Sequence, residues 1–277
     1  MRPLLKKIVR RIVRIITSYL KFIFIKPIIF FPNQMRENRS KTTLKKHNID
    51  LYLTTESIFR QLRKRRFKFR GWSLAKSAIR YTIDELFQQK KEKINIVELG
   101  GGVSTFFWHY LKKEYDKLEM NVTTFEHDKD WSDFLVTEIG ASVTILNCKL
   151  KQLSENERLT LFEKPEGAIA NWQLISNFLP EAQYKTTKVR NVFYNIPLEF
   201  MVSDTPKIDL LIVDGPHGNG RSVCFPLLQK RIVPGTLILL DDYNHYPFVD
   251  DLKKVCNVET LAFENSYSKK WILLRVI

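Results

Sequence analysis

From Ile94 onward, short runs of Ile, Val and Leu alternate with stretches whose apolar residues recur every three or four positions. The runs Ile94–Leu99, Asn121–Glu126, Ser142–Leu146, Ile208–Val213 and Thr236–Leu240 predict five strands. Helices are predicted from about Phe106, from Asp130, over Arg221–Lys230 and over Phe248–Val255. Alternation of this kind predicts a parallel sheet. Two further strands, Val258–Phe263 and Trp271–Ile277, are joined by the turn 264–270 and predict a closing hairpin. Residues 149–206 break the rhythm, with one predicted helix over Ile169–Phe178. Such a long excursion before the fourth strand is where substrate loops are expected. There is no internal repeat.

The N-terminal third is patterned differently. In residues 1–31, Lys7, Arg10, Arg11, Arg14 and Lys21 fall at helical spacing among Ile, Val and Leu, with no acid before Glu37. Arg14, Lys21 and Lys26 interrupt the apolar stretch, which falls short of a continuous span of ~18–20 residues. No cleavage site of small residues follows, which disfavours a signal peptide. The segment predicts a basic amphipathic helix lying on an anionic membrane surface, preferred over a transit peptide, an irregular anchor or a helix packed on the domain. Pro27 and Pro32 are expected to end it, and the polar, basic residues 33–50 read as a linker. Thr54–Lys91 has helical character, including a helix over Trp72–Phe87. Its basic run (Arg60, Arg63, Lys64, Arg65, Arg66, Lys68, Arg70) is interleaved with Phe59, Phe67 and Phe69. That run reads as a solvated face adding to membrane attraction, with a nucleic-acid patch as the rival. The expected organisation is therefore 1–32 as membrane-associating helix, 33–93 as basic linker and helical region, and 94–277 as the catalytic domain.

Charge sharpens this division. The net charge of +15 is confined to residues 1–93, which hold 25 Lys+Arg against 6 Asp+Glu, while residues 94–277 hold 20 against 24. A basic patch of this size implies an anionic partner. Three scattered cysteines, Cys148, Cys224 and Cys256, argue against a disulfide framework and for a reducing compartment. The expected location is the cytoplasm, on the inner face of the membrane. An apolar content of 44% excludes wholesale disorder.

The chain is organised around Ile94–Thr105, where the first strand runs into Gly100, Gly101 and Gly102, with Ser104 or Thr105 placed to cap a helix. This is a nucleotide-binding corner. It is not a dinucleotide fingerprint, because position 105 is Thr, nor a P-loop, because no Lys follows. Glu98, two residues before the first glycine, would repel a pyrophosphate and suits a ligand carrying an ammonium group. Here the chain resembles the class I S-adenosylmethionine (SAM) methyltransferases, whose first motif is an acid followed by a glycine-rich turn. That resemblance implies a Rossmann-like, doubly wound α/β sheet of methyltransferase type with a terminal antiparallel hairpin. It implies that Glu98, Gly100, Gly101, Gly102 and Ser104 hold the methionine end of SAM. Glu126, which ends the second strand, would hold the ribose, and Asn147 or Cys148 would lie near the adenine. A strand-two carboxylate serves NAD equally well.

Acids also end the fourth and fifth strands, as Asp214 in VDGPHGNGR and as Asp241-Asp242 in LLDDYNH. Three converging carboxylates call for protonation or a divalent cation. The arrangement resembles the cation-dependent O-methyltransferases, which implies that Asp214, Asp241 and Asp242 hold magnesium or another divalent ion. His217, three residues past the strand-four acid, takes the place of the base, where catechol-type enzymes have Lys; histidine suits that task near neutral pH. The VDGP string is also similar to bacterial methyltransferase-like proteins and plant glucuronoxylan O-methyltransferases. Together these readings predict a SAM-dependent O-methyltransferase at the membrane surface acting on a sugar hydroxyl of a glycan or lipid-linked saccharide, with Asp214 and His217 as its catalytic pair. The rivals are an RNA methyltransferase using the 60–70 run and a non-catalytic membrane adaptor that keeps the fold. An N-methyltransferase is disfavoured, since strand four ends in Asp-Gly-Pro-His.

Overall fold

The computed structural model describes residues 26–277 apart from 68, 70–72, 176, 185–189, 204–205 and 268. The amphipathic segment predicted over residues 1–32 lies outside the described residues up to Lys26. Among the described residues no helix is long and apolar enough to cross a membrane.

Three helices come first: α1 (Lys26–His47), α2 (Ile49–Lys64) and α3 (Lys76–Gln88). The sheet then begins with β1 (Lys93–Leu99), followed by α4 (Val103–Glu114), β2 (Glu119–Glu126), α5 (Lys129–Ile139) and β3 (Thr144–Asn147). The excursion carries β4 (Leu150–Gln152), α6 (Glu155–Glu163), α7 (Ala168–Leu174), β5 (Val192–Tyr194) and α8 (Leu198–Val202). The chain returns to the sheet as β6 (Leu210–Val213), a 3-10 turn (Asn219–Val223), α9 (Cys224–Leu227), β7 (Leu237–Asp241), α10 (Phe248–Lys253), β8 (Val258–Asn265) and β9 (Lys270–Val276). The seven-stranded sheet has the order β3-β2-β1-β6-β7-β9-β8, and β4 pairs with β5 in a separate two-stranded sheet. The first five strands of that order run parallel. β9 runs antiparallel to β7 and to β8, giving the predicted hairpin.

Period-2 patterning explains how the sheet is covered. In β1, Ile94 and Ile96 face one core with Leu210, Ile212, Leu237 and Leu239, while Val97 and Leu99 face the other with Leu211, Val213, Ile238 and Leu240. Helices α4 and α5 and the N-terminal helices fill the first core, through Phe106, Phe107, Trp108 and Leu135 together with Leu44, Ile58 and Ile79. The excursion, α9 and α10 fill the second, through Leu161, Trp172, Phe193, Phe225 and Phe248. The sheet is doubly wound, as predicted.

The N-terminal third differs from expectation. Residues 33–47, expected as a linker, continue α1, and Asn48 then caps α2 by accepting the Leu51 N–H at 3.0 Å. The helix was hidden because it buries little apolar surface, Leu44 being its one buried apolar residue among 34–47. Polar contacts hold it instead. Buried Arg80 on α3 reaches Glu37 on α1 (2.9 Å) and Glu56 on α2 (2.7 Å). Arg60 and residues Arg63 to Arg66 are exposed, as a solvated face requires. The aromatic residues of that run turn inward: Phe59 stacks on Phe107 at 5.2 Å and Phe67 on Phe106 at 4.3 Å. They therefore offer no stacking platform for bases. The helix predicted over Arg221–Lys230 is a 3-10 turn followed by a single α-helical turn, and Pro226 within it donates no N–H.

Candidate active site

The parallel strands converge at their carboxyl ends on a cavity of about 400 Å³, within the ~300–1,000 Å³ common for small-molecule sites. Gly100, Gly101, Gly102, Ser104, Glu126, Asp214, His217 and Asp242 line it, so eight residues singled out in the sequence meet there. Ser73, Val103, His127, Trp131, Tyr194, Gly215, Pro216 and Arg221 complete the lining.

One wall is the turn between β1 and α4. Gly100 has φ +99°, and a Cβ there would stand 2.9 Å from the Gly215 nitrogen, so both conformation and clearance demand glycine. Glu98 braces this turn from behind. It is fully buried and does not line the cavity; its Oε2 accepts from Thr105 Oγ1 (2.6 Å) and Thr124 Oγ1 (2.9 Å), and its Oε1 has no partner. Burial pushes its carboxyl up to about 7, against the pull of hydroxyls including Ser104. Thr105 Oγ1 also accepts the Gly102 N–H at 2.9 Å, which ties the helix start to Glu98. The expectation of Glu98 as a direct ammonium ligand therefore gives way to a role in holding the turn.

Glu126, at the end of β2, lies in this wall as expected. Its Oε2 accepts the Gly101 N–H (2.9 Å), and its Oε1 accepts those of His127 (2.7 Å) and Asp128 (2.8 Å). A carboxylate has about four lone-pair sites, so acceptor capacity remains for a ligand hydroxyl. Trp131 donates its indole N–H to the Gly101 carbonyl at 2.8 Å and presents its ring to the cavity. Asn147 stands beside Glu126 on β3 but is exposed and outside the cavity lining, its amide bonded to the Glu126 carbonyl at 3.3 Å. Cys148 is buried outside the lining too.

The opposite wall carries charge. Asp214 and Asp241 end the adjacent strands β6 and β7, where Val213 pairs with Leu240. Burial raises both carboxyls, Asp214 to about 6 and Asp241 well above its usual range, and each raises the other's cost of ionising or eases it by a hydrogen bond. At about 6, the Asp214 carboxyl lies close to neutral pH. Asp241 does not line the cavity. Asp242, with a left-handed backbone (φ 51°), does line the cavity, half-buried and 3.7 Å from His245 Nδ1.

The predicted metal centre on Asp214, Asp241 and Asp242 finds no support. Among the described residues no group of three His, Cys, Asp or Glu side chains could hold a metal ion. Asp241 lies outside the cavity lining while Asp214 and Asp242 lie in it, and the Arg221 charge eases the ionisation of Asp214 and Asp241. Arg221 is buried, donating Nε–H to the Pro216 carbonyl (2.7 Å) and Nη1–H to that of Asp241 (3.2 Å). The donor set does not fit magnesium.

It does fit SAM. A Cβ on Gly102 would meet only Ser104 Oγ, at 3.8 Å, so the backbone there is open to a ligand. Glu126 offers an acceptor for hydroxyls, Trp131 an aromatic surface, and Asp214 and Asp242 negative charge toward a cation.

Sequence reasoning did not find Ser73, His127, Trp131, Tyr194 or Arg221. Trp131 follows the capping Asp128, which accepts its N–H at 3.1 Å, so its place in the first turn after β2 was a usable signal. Tyr194 comes from the irregular excursion and had none. Its hydroxyl is buried without a partner at the seam between Gly100 and Gly215.

Residues 97–243 match the model of a family described as a methyltransferase domain. No curated protein matches the chain by sequence. Solved structures with a similar fold include a protein described as a caffeoyl-CoA O-methyltransferase from Staphylococcus aureus (12% identity, 83% of this chain and 98% of that one, TM-score 0.37). Another is a precorrin-6y C5,15-methyltransferase from Geobacter metallireducens GS-15 (11% identity, 71% and 87%, TM-score 0.36). A third is described as a spermidine synthase from Corynebacterium glutamicum (11% identity, 72% and 62%, TM-score 0.41).

Proposed function

The chain belongs to this methyltransferase-domain family, and from that premise we propose that it methylates a hydroxyl oxygen, with a sugar hydroxyl of a glycan or lipid-linked saccharide as acceptor. SAM, when bound, supplies an electrophilic methyl group. The chain's own residues have three tasks: to hold the donor, to align the acceptor and to take its proton. Glu126 and the Gly100–Ser104 turn hold the donor. Asp214 takes the proton on a carboxylate oxygen, and His217, in the same lining, supports that transfer.

The observation that carries this reading is Asp214 itself, a cavity-lining carboxyl at the end of β6 raised to about 6 by burial. A base of that strength is ionised at neutral pH yet basic enough to share a hydroxyl proton in a transition state. The lining mixes carboxylates, imidazoles, a phenol and a guanidinium, which suits a polyhydroxylated acceptor better than a flat apolar one. The basic segment 1–31 would bring the enzyme to an anionic membrane bearing that acceptor.

The test is incubation of the full chain with methyl-labelled SAM and an extract of lipid-linked saccharides, in the presence and absence of a chelator. Alkali-stable label in the saccharide fraction, unaffected by chelation, is expected. Label in added RNA would overturn the glycan acceptor, and alkali-labile ester label would overturn the hydroxyl reading.

A further inference from the structure

Two donors that line the same cavity have capacity to spare, Arg221 at its Nη2 edge and Tyr194 at its hydroxyl. Arg221 is 6% exposed, and its hydrogen bonds go to two backbone carbonyls, from Nε and Nη1. Among the described residues it forms no ion pair, so no carboxylate oxygen lies within 4.0 Å of its guanidinium. Its charge is met only at longer range, by Asp214 and Asp241, and by the Phe248 ring at 5.8 Å. Tyr194 is fully buried and its hydroxyl bonds to nothing. That hydroxyl points at the Gly100–Gly215 seam, 2.5 Å from where a Gly215 Cβ would stand.

Both groups are expensive to leave as they are. A buried guanidinium cannot shed its proton and wants a counter-charge, and a buried phenol wants an acceptor. A neutral hydroxyl of an acceptor substrate could accept from the phenol but would bring no counter-charge to the guanidinium. A planar anion with two oxygens meets both, one oxygen on the free edge of the guanidinium and one on the phenol. The elements that position them are unrelated in sequence, Tyr194 on β5 and Arg221 in the 3-10 turn after β6. They are held in register, because Gly220 lies hard against the backbone of Val192 and the Asn191 N–H is bound by Asn219 Oδ1 at 2.9 Å.

We propose that Arg221 and Tyr194 form a carboxylate-binding subsite in the cavity. This rests on the methyltransferase reading for the identity of one source. The carboxylate belongs either to the amino-acid end of SAM or to an acidic acceptor, and the chemistry recognised is the same.

The experiment is isothermal titration of the full chain with three probes: SAM, its decarboxylated analogue S-adenosylmethioninamine, and glucuronate added to the chain saturated with S-adenosylhomocysteine. Each is measured in the wild type, Tyr194→Phe and Arg221→Gln. Tyr194→Phe removes only an unpartnered hydroxyl, so it keeps the test valid if Arg221→Gln fails to fold. If the carboxylate is that of SAM, each variant weakens SAM about tenfold or more and leaves the decarboxylated analogue unchanged. If it is the acceptor's, both nucleosides bind as before, while the heat of glucuronate binding seen in the wild type is lost in the variants. Equal effects on SAM and its analogue with no glucuronate heat, or no effect of Tyr194→Phe on any probe, would overturn the subsite. A wild type that binds neither nucleoside but binds glucuronate through Arg221 would keep the subsite and remove the methyltransferase reading.

Discussion

The cavity wall under Gly100–Ser104 presents mostly backbone, together with a Glu126 carboxylate already engaged by three amides, whereas the wall under Asp214, Arg221 and Tyr194 presents side chains whose charges and protons are unsettled. The first wall is made largely by neighbours in sequence, and its one raised carboxyl, Glu98, stands behind the turn rather than in the cavity. The second is assembled from β5, β6, β7 and the turn after β6, and it titrates. The contrast teaches a division of labour. The rigid backbone wall suits a ligand that is the same in every turnover, and the ionisable wall suits the group whose proton must move.

The strongest way to break the comparison is Asp214→Asn. Methyl transfer should fall about 10²- to 10⁴-fold while SAM affinity by calorimetry stays within about twofold. In the wild type the rate should climb as pH passes about 6, where Asp214 becomes ionised. A parallel loss of affinity would mean that the walls do not act separately. Gly100→Ala tests the other wall. Strain at φ +99° and the approach to Gly215 should cost about 3 kcal/mol in urea unfolding and abolish SAM binding.

Glu98 sharpens the contrast through stability. Its carboxyl is raised from 4.5 to about 7 in the folded chain, so folding favours the protonated form. Its contribution is complete below pH 4.5, declines as pH rises, and is gone above about 7; the loss is of order 3 kcal/mol. Glu98→Gln should remove this slope from the unfolding free energy between those limits, and an unchanged slope would assign the proton elsewhere. The smallest effect belongs to Asn147→Ala, which should shift neither stability by more than about 0.5 kcal/mol nor SAM affinity by more than about twofold, because Asn147 stands outside the cavity.

Legibility followed the same line as the two walls. The glycine turn, Glu126, Asp214 and the strand order's closing hairpin could be read, since each depends on local pattern or on a residue ending an apolar run. The acid ending each strand marked the site but not its chemistry: of Asp241 and Asp242 only the second lines the cavity, which no composition reveals. Arg221 looked like the start of a helix, and its role depends on carbonyls five and twenty residues away. Tyr194 sits in a three-residue strand paired with β4, too short for any period to register. The helix over Lys26–His47 was missed for the opposite reason, because ion pairs rather than an apolar stripe secure it.

Glu264 gives the N-terminal helices a further significance. This buried residue near the end of β8 accepts from Ser77 Oγ on α3 and Trp271 Nε1 on β9, both at 3.0 Å, and from Ser266 Oγ at 2.9 Å, with Arg36 of α1 at 3.8 Å. The Lys269 ammonium, in the same hairpin, donates to the carbonyl of the cavity residue Ser73. The helices α1 and α3 thus meet the working face through a bolted joint rather than a leash. A fragment trimmed to residue 94 would strip the cover from Phe106, Phe107 and Trp108. A helix layer bolted in this way cannot swivel freely over the sheet it covers.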